Sequence, residues 1–383
     1  MKILVDEFIP YAYEIFKDTG NVVKIHSDQL FGREILDTHC LLVRSITKIN
    51  KGSLKDRKLI KFIGSATSGI DHIDTNWLKE LDITFSAAPG CNSIAVAEYV
   101  FSSLLFLAER NNFQLKDRTI GIVGFGNIGS YLNKILQVWG ITTLLCDPPK
   151  SDDGHKDKRN FFYPLSELIS KVDIITFHIP LINEGKYKTF HMMNKEYLLS
   201  LKPNTILVNS SRGSVINTKD LIDVLEIRKD IKVVMDVWEG EPEISANLLN
   251  QVTIATAHIA GFTIEAKIRA TIKLYAEWCK LIKKTKKIKI NKFLPNKIFN
   301  NIFLNGNITQ SKLNKLVNLI YNIYTDDSLL RNAIITQSCS FDNLRNHYRA
   351  RSEWFSLKIS CNNYETFDVL KKIGFNAIFK PNF

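Results

Sequence analysis

The chain contains no uninterrupted apolar run of about 18 residues, the length a membrane-spanning helix needs, so no span and no membrane partner are expected. No secretory leader is expected either. The opening MKILVDEFIP carries acids directly after a short apolar run, where a leader would have its apolar centre, and reads as a first β-strand of a cytoplasmic protein. Cysteine is sparse, with six residues at 40, 91, 146, 279, 339 and 361, none in a C-x-x-C pair and none at a His/Cys metal spacing. Reduced, mostly buried thiols and no metal are expected. The formal net charge of +12 raises the question of nucleic acid, but the densest basic stretch, Lys280 to Lys292, has no stacking aromatics interleaved with its lysines. It reads as a solvated linker, and no nucleic-acid partner is expected. A positive field draws in small anions and a dinucleotide equally well.

What is present is ordinary for a globular protein: 383 residues, long enough for two or three domains, with 45% hydrophobic and 23% charged residues. Short apolar runs alternate with helical patterns, which predicts an α/β fold with two doubly wound, Rossmann-like parallel-sheet domains. In the first part, strands are predicted at Lys2–Val5, His39–Val43, Phe62–Gly64 and Thr84–Ser86. Two of them run into polar loops, Arg44 to Lys48 and Ser65 to Gly69, which are candidates for holding a substrate anion because open α/β sheets bind ligands at strand carboxyl ends. Ser93 to Arg110 is apolar almost all round and predicts a buried helix.

The centre of the sequence is TIGIVGFGNIGSYLNKILQVWGITTLLCDP, from Thr119 onward. A buried strand, Thr119–Val123, runs into Gly124, Gly126 and Gly129 in G-x-G-x-x-G spacing; a helix follows over Tyr131–Trp139, and a second strand, Thr142–Cys146, ends on Asp147. Gly124 permits the tight turn, Gly126 lets a pyrophosphate approach the backbone, Gly129 lets helix and strand pack closely, and the helix N-terminus receives the anion. Asp147, 18 positions beyond Gly129, suits the two hydroxyls of an adenosine ribose and repels a 2′-phosphate. The reading is therefore NAD rather than NADP.

Further strands are predicted at Asp173–Phe177, Thr205–Asn209, Ile231–Asp236 and Val252–Ala255, with helices near Pro164–Ser170, Asn194–Leu201 and Thr218–Ile227. Their exits carry Arg212, Glu241 and His258. A hydride-transfer enzyme acting on a hydroxy acid uses these residue types. Arginine grips a carboxylate bidentately, histidine moves the hydroxyl proton, and a glutamate on the other ring nitrogen fixes the tautomer and favours imidazolium. These three are the candidate catalytic residues.

The segments V-G-F-G-N-I-G, N-S-S-R-G, D-V-W-E-G-E-P and H-I-A-G-F-T resemble the D-isomer-specific 2-hydroxyacid dehydrogenases. Within that family, VRSITK, SATSGIDHID, AAPGCNSIAVAEYVFSSLL, LLCDPP and the tail segment FDNLRNHYRARSEW are most similar to the branch acting on 4-phospho-D-erythronate. The resemblance implies NAD-dependent oxidation of that acid in pyridoxal 5′-phosphate synthesis. It implies carboxylate binding by Arg212 and proton transfer by the Glu241–His258 pair. Cofactor contacts carry over to Gly124, Gly126, Asn127, Ile128, Gly129, Asp147, Thr176, Ser210, Ser211, Arg212, Asp236 and Gly261, and substrate contacts to Ser45, Thr67 and Phe262. Phe262 departs from the family, which usually has a substrate-touching tyrosine there. Expected domains are 1–95 with 258–282 for substrate, 96–257 as the NAD-binding Rossmann domain, and 283–383 as linker and small α+β dimerisation domain of a homodimer. In the tail, a helix is predicted over Ser311–Tyr324, then strand, helix and strand at Trp354–Cys361, Glu365–Lys372 and Phe375–Phe379. An effector-binding tail is the competing idea. The nearest alternative activity is oxidation of 3-phosphoglycerate, and a distant one is an NAD-sensing corepressor.

Overall fold

Parallel strands require a crossover of a dozen or more residues, usually a helix, and the alternation of short apolar runs with helical stretches meets that need along this chain. The computed structural model describes residues 1–54, 58–154, 161–285, 288–294, 301–349 and 351–381. They form two compact units, Met1–Asn92 with Thr263–Asn296 and Ser93–Phe262 with Lys297–Phe383.

In the first unit β1 (Lys2–Asp6), β2 (Asn21–Ile25), β3 (Thr38–Val43), β4 (Phe62–Ser65) and β5 (Thr84–Ser86) pair in parallel in the order β2-β1-β3-β4-β5. The period-2 alternation of side chains divides two cores. Ile3, Val5, Cys40, Leu42 and Phe62 pack with Leu274, Tyr275 and Trp278 of the helix Ile264–Leu281. Leu4, Leu41, Val43 and Ile63 pack with Trp77 and Leu78 of the helix Thr75–Glu80. The sequence reading misses β2, an edge strand in which only Val22 is buried, so its apolar signal is weak. The lysine-rich stretch taken for linker begins inside the helix that ends at Leu281, and residues 286–287 of it lie outside the described residues.

The second unit holds β6 (Thr119–Val123), β7 (Thr142–Cys146), β8 (Ile174–Phe177), β9 (Ile206–Asn209), β10 (Lys232–Met235) and β11 (Ile254–Ala255), all parallel, in the order β11-β10-β9-β8-β6-β7. The chain leaves β6 in one direction for β7 and then crosses to β8, which creates a switch point at the carboxyl ends of β6 and β8. One face carries Ile120, Ile122, Ile174 and Val208 and is covered by the helices Ser93–Arg110 and Asn127–Val138. The other carries Val123, Ile175, Phe177 and Leu207 and is covered from Leu165–Lys171, Lys195–Leu199, Thr218–Ile227 and Ala246–Gln251.

The C-terminal segment adds a parallel three-stranded sheet, β12 (Ile302–Leu304), β13 (Lys358–Cys361) and β14 (Asn376–Phe379), in the order β12-β13-β14. Its Leu313, Val317, Tyr321, Trp354 and Ile359 join the core of the helix Ser93–Arg110. Both Glu98 carboxylate oxygens accept from the Trp354 N–H at 3.1 Å. Two expectations change here. The helix predicted over 311–324 ends at Ile320, where Tyr321 turns to extended backbone, and a second helix, Ile323–Thr336, starts under an Asn322 cap. The strand predicted from Trp354 begins at Lys358, because Trp354–Ser356 form a 3₁₀ turn whose indole stacks on Phe375 at 5.1 Å.

Candidate active site

At the end of β6 the backbone of Gly124 takes φ +93°, and a Cβ there would lie 2.4 Å from the His178 carbonyl oxygen at the exit of β8. A Cβ on Gly129 would lie 2.0 Å from the Gly124 carbonyl oxygen, so the helix Asn127–Val138 rests directly on the turn. Gly126 is different: a Cβ on it would meet nothing within 4 Å. That open side, with no side chain capping the helix at Asn127 and Ile128, fits the approach of a pyrophosphate to backbone N–H groups.

Asp147, beyond β7, is half-buried; its carboxylate accepts from the Phe125 N–H at 2.8 Å and the Lys150 N–H at 3.2 Å. The acid expected to meet a ribose thus also braces the glycine loop. Thr176 is buried in β8, with its hydroxyl 3.1 Å from Nε2 of His178. Burial pushes the His178 imidazole down to about 3, so it is neutral, and its Nδ1 has no hydrogen-bond partner. The sequence reading passes over His178; its only signal is a histidine two residues past Thr176 at a strand exit. Beyond β9, Asn209 Oδ1 accepts from the Ser211 N–H at 3.1 Å and the Ser211 hydroxyl at 2.9 Å. The buried Ser210 hydroxyl has no partner, an orphan polar group of the kind a bound cofactor would satisfy.

Arg212 follows at the same exit, half-buried, held by Asn209 Nδ2 donating to its carbonyl at 2.9 Å and by its own Nη1 donating to the Ser211 carbonyl at 2.9 Å. Gly213 admits no side chain, since a Cβ would stand 1.9 Å from the Trp238 carbonyl carbon. The turn carrying the arginine is therefore pressed against the exit of β10. At that exit Asp236 is almost wholly buried. Its Oδ1 accepts from the Thr256 hydroxyl at 2.6 Å and the Ile259 N–H at 2.8 Å, and its Oδ2 from the Ala260 N–H at 2.9 Å.

These bonds hold the segment after β11 in shape, where His258 sits at φ +54° with its N–H donating to the Asp236 carbonyl at 2.7 Å. A left-handed conformation costs a non-glycine residue about 1–2 kcal/mol, and the Asp236 anchor supplies the compensating contacts. His258 Nδ1 is 2.7 Å from Glu241 Oε2, and the other glutamate oxygen accepts from the Trp238 N–H at 2.7 Å. Burial pushes the Glu241 carboxyl up, but the electrostatic pull and hydrogen bond of the His258 ring, the Trp238 N–H and the nearby Arg345 together outweigh it and hold the group below its ordinary range. Glu241 is therefore an anion at neutral pH. It orients the ring and leaves Nε2 for chemistry. Gly261 lies in the turn closed by the Phe262 N–H donating to the Ile259 carbonyl at 2.8 Å.

In the first unit, Ser45 is exposed in the loop after β3. Its neighbour Arg44 is paired with the buried Asp6 at the end of β1 at 2.8 Å, so its charge is committed to that strand. Thr67, after β4, is fixed by its hydroxyl donating to the Gly69 carbonyl at 2.7 Å and by Ser65 Oγ at 2.7 Å, which also meets His72 Nε2 at 2.8 Å.

Residues 106–260 match the family described as D-isomer specific 2-hydroxyacid dehydrogenase, NAD binding domain. Residues 293–374 match a domain of unknown function (DUF3410). The erythronate-4-phosphate dehydrogenase of Photorhabdus laumondii is 46% identical over 377 residues, which covers 98% of this chain and 99% of that protein. The chain belongs to the erythronate-4-phosphate dehydrogenase family. The family member from Escherichia coli K12 is likewise 46% identical, over 100% of both chains. Among solved structures, the NAD-bound 3-phosphoglycerate dehydrogenase of Entamoeba histolytica aligns with a TM-score of 0.63 at 26% identity, covering 77% of this chain and 99% of that one. An NAD-dependent formate dehydrogenase from Staphylococcus aureus, at 22% identity and TM-score 0.61, shares the fold over 74% of this chain and 96% of its own. Among the described residues no helix is long and apolar enough to cross a membrane, and no His, Cys, Asp and Glu side chains group as metal ligands.

Proposed function

We propose that the protein oxidises 4-phospho-D-erythronate to 2-oxo-3-hydroxy-4-phosphobutanoate with NAD, a step in pyridoxal 5′-phosphate synthesis. The observation that carries the chemistry is the His258 ring, locked by Glu241 beyond β11, while Arg212 stands at the exit of β9 in the same sheet. Arg212 holds the substrate carboxylate. His258 Nε2 takes the hydroxyl proton as the hydride leaves the same carbon, and the anionic Glu241 stabilises the imidazolium that results. The cofactor, when bound, supplies the hydride acceptor. The glycine loop, Asn127, Ile128, Asp147, Thr176, Ser210, Ser211, Asp236 and Gly261 are assigned to holding it, and Ser45, Thr67 and Phe262 to the substrate. Six free cysteines suit a cytoplasmic protein. Exposed Phe303, Tyr324, Ile335 and Phe355 on the C-terminal segment favour a homodimer over an effector site.

The test is NADH formation by purified protein with 4-phospho-D-erythronate beside 3-phosphoglycerate, with a 2-oxo acid present as alternative electron acceptor. Strong preference for the erythronate is expected. Preference for phosphoglycerate would move the protein to the alternative activity, and no turnover of either would favour the corepressor reading. A second expectation concerns the ribose. Asp147→Ala removes a charged acceptor whose hydrogen bonds are worth about 1.5–3 kcal/mol, so NAD affinity should fall roughly 10- to 100-fold while NADP affinity falls far less. An unchanged NAD-to-NADP ratio of dissociation constants would exclude Asp147 from cofactor choice.

A further inference from the structure

Arg345 lies in the last turn of the short helix Phe341–Asn346 of the C-terminal segment, within the residues that match the domain of unknown function. Its guanidinium carbon lies 5.7 Å from the ring centre of Phe262 and 5.9 Å from that of Phe341, so two aromatic rings frame the cation. Its nearest carboxylate, Asp342, is 3.7 Å away, too far for a hydrogen bond, and its Nε is buried without any partner. Its charge is felt at Glu241, the carboxylate paired with His258. A nearly buried cation with aromatic walls, a long ion pair to Asp342 and no carboxylate hydrogen-bonded to it keeps donors that a further anion can take.

Tyr348 does not supply the hydroxyl that Phe262 lacks. Although its ring meets Phe262 edge-on at 6.1 Å, its hydroxyl donates to Asp326 at 2.6 Å. The cation, not a hydroxyl, is therefore what the tail presents beside Phe262.

We propose that Arg345 is a specificity-determining residue that receives the phosphate of the substrate, the group at the far end from the carboxylate held by Arg212. The inference rests on the proposed activity and adds to it the residue that reads the phosphate. Guanidinium suits this task because its donors match phosphate oxygens bidentately.

The test compares kcat/KM for 4-phospho-D-erythronate and unphosphorylated D-erythronate in wild type, Arg345→Gln and Arg345→Lys. In Arg345→Gln the preference for the phosphorylated acid should fall about 100-fold, mostly through KM, and Arg345→Lys should recover part of it, since a point charge remains without the fork. An equal loss on both substrates would overturn the proposal and assign Arg345 to positioning Glu241; an unchanged preference would overturn it outright. A wild-type protein that shows no preference for the phosphorylated acid would instead remove the proposed activity itself. NADH titration reports whether each variant is folded. If Arg345→Gln is not, Arg345→Lys decides, because an unaltered preference there also overturns the assignment.

Discussion

His258→Ala is expected to lower kcat by about 10³-fold or more, the scale on which a positioned general base acts, while the affinity for NADH stays near that of wild type. The separation follows from the structure. The imidazole is tied through Nδ1 to Glu241, whereas the groups suited to a dinucleotide, the glycine loop and Asp147, lie at the exits of β6 and β7. Glu241→Gln should cost less, because a neutral amide still accepts from the Trp238 N–H but no longer stabilises imidazolium. NADH formation and fluorescence titration of NADH read the two quantities independently. A His258→Ala protein that binds NADH poorly, or that turns over normally, would contradict the assignment.

Asp236→Ala is expected to damage both stability and turnover. It strips acceptors from the Thr256 hydroxyl and from the Ile259 and Ala260 N–H groups, all buried. Each buried donor left unpaired costs about 1–3 kcal/mol, so a total of about 3 kcal/mol or more and a Tm lower by roughly 5–10 °C are expected. The left-handed His258 loses the anchors flanking it, so kcat should fall with Tm. A contact to cofactor alone would raise the KM for NAD and leave Tm unmoved, and that pattern would show that the aspartate does not organise the loop.

Local order was legible in the amino-acid sequence wherever one element satisfies itself. Thr119–Val123 and Ser93–Arg110 have the bounds read from their apolar patterns, since a buried parallel strand or helix is apolar along most of its length; the edge strand Thr142–Cys146 and the helix Thr218–Ile227, which buries only Leu221, Val224 and Leu225, keep the bounds read for them too. Where burial is partial the pattern weakens, as in β2, or runs on through a break, as at Tyr321 between two helices.

The residue types of the candidate site, a glycine-rich turn, an acid after β7, and arginine, glutamate and histidine at strand exits, are legible in the sequence, because each answers to a chemical need that its own strand-to-loop junction displays. Their assembly is not. Glu241 and His258 are 17 positions apart, Asp236 reaches 24 positions to the Ala260 N–H, and the buried Arg351 donates to the Ala260 carbonyl at 2.6 Å from 91 positions away. Arg345 stands against Phe262 in the same way. Such pairings leave no periodicity and no spacing in the chain; they exist only because parallel strand exits and the C-terminal segment converge, and that convergence is a property of tertiary packing.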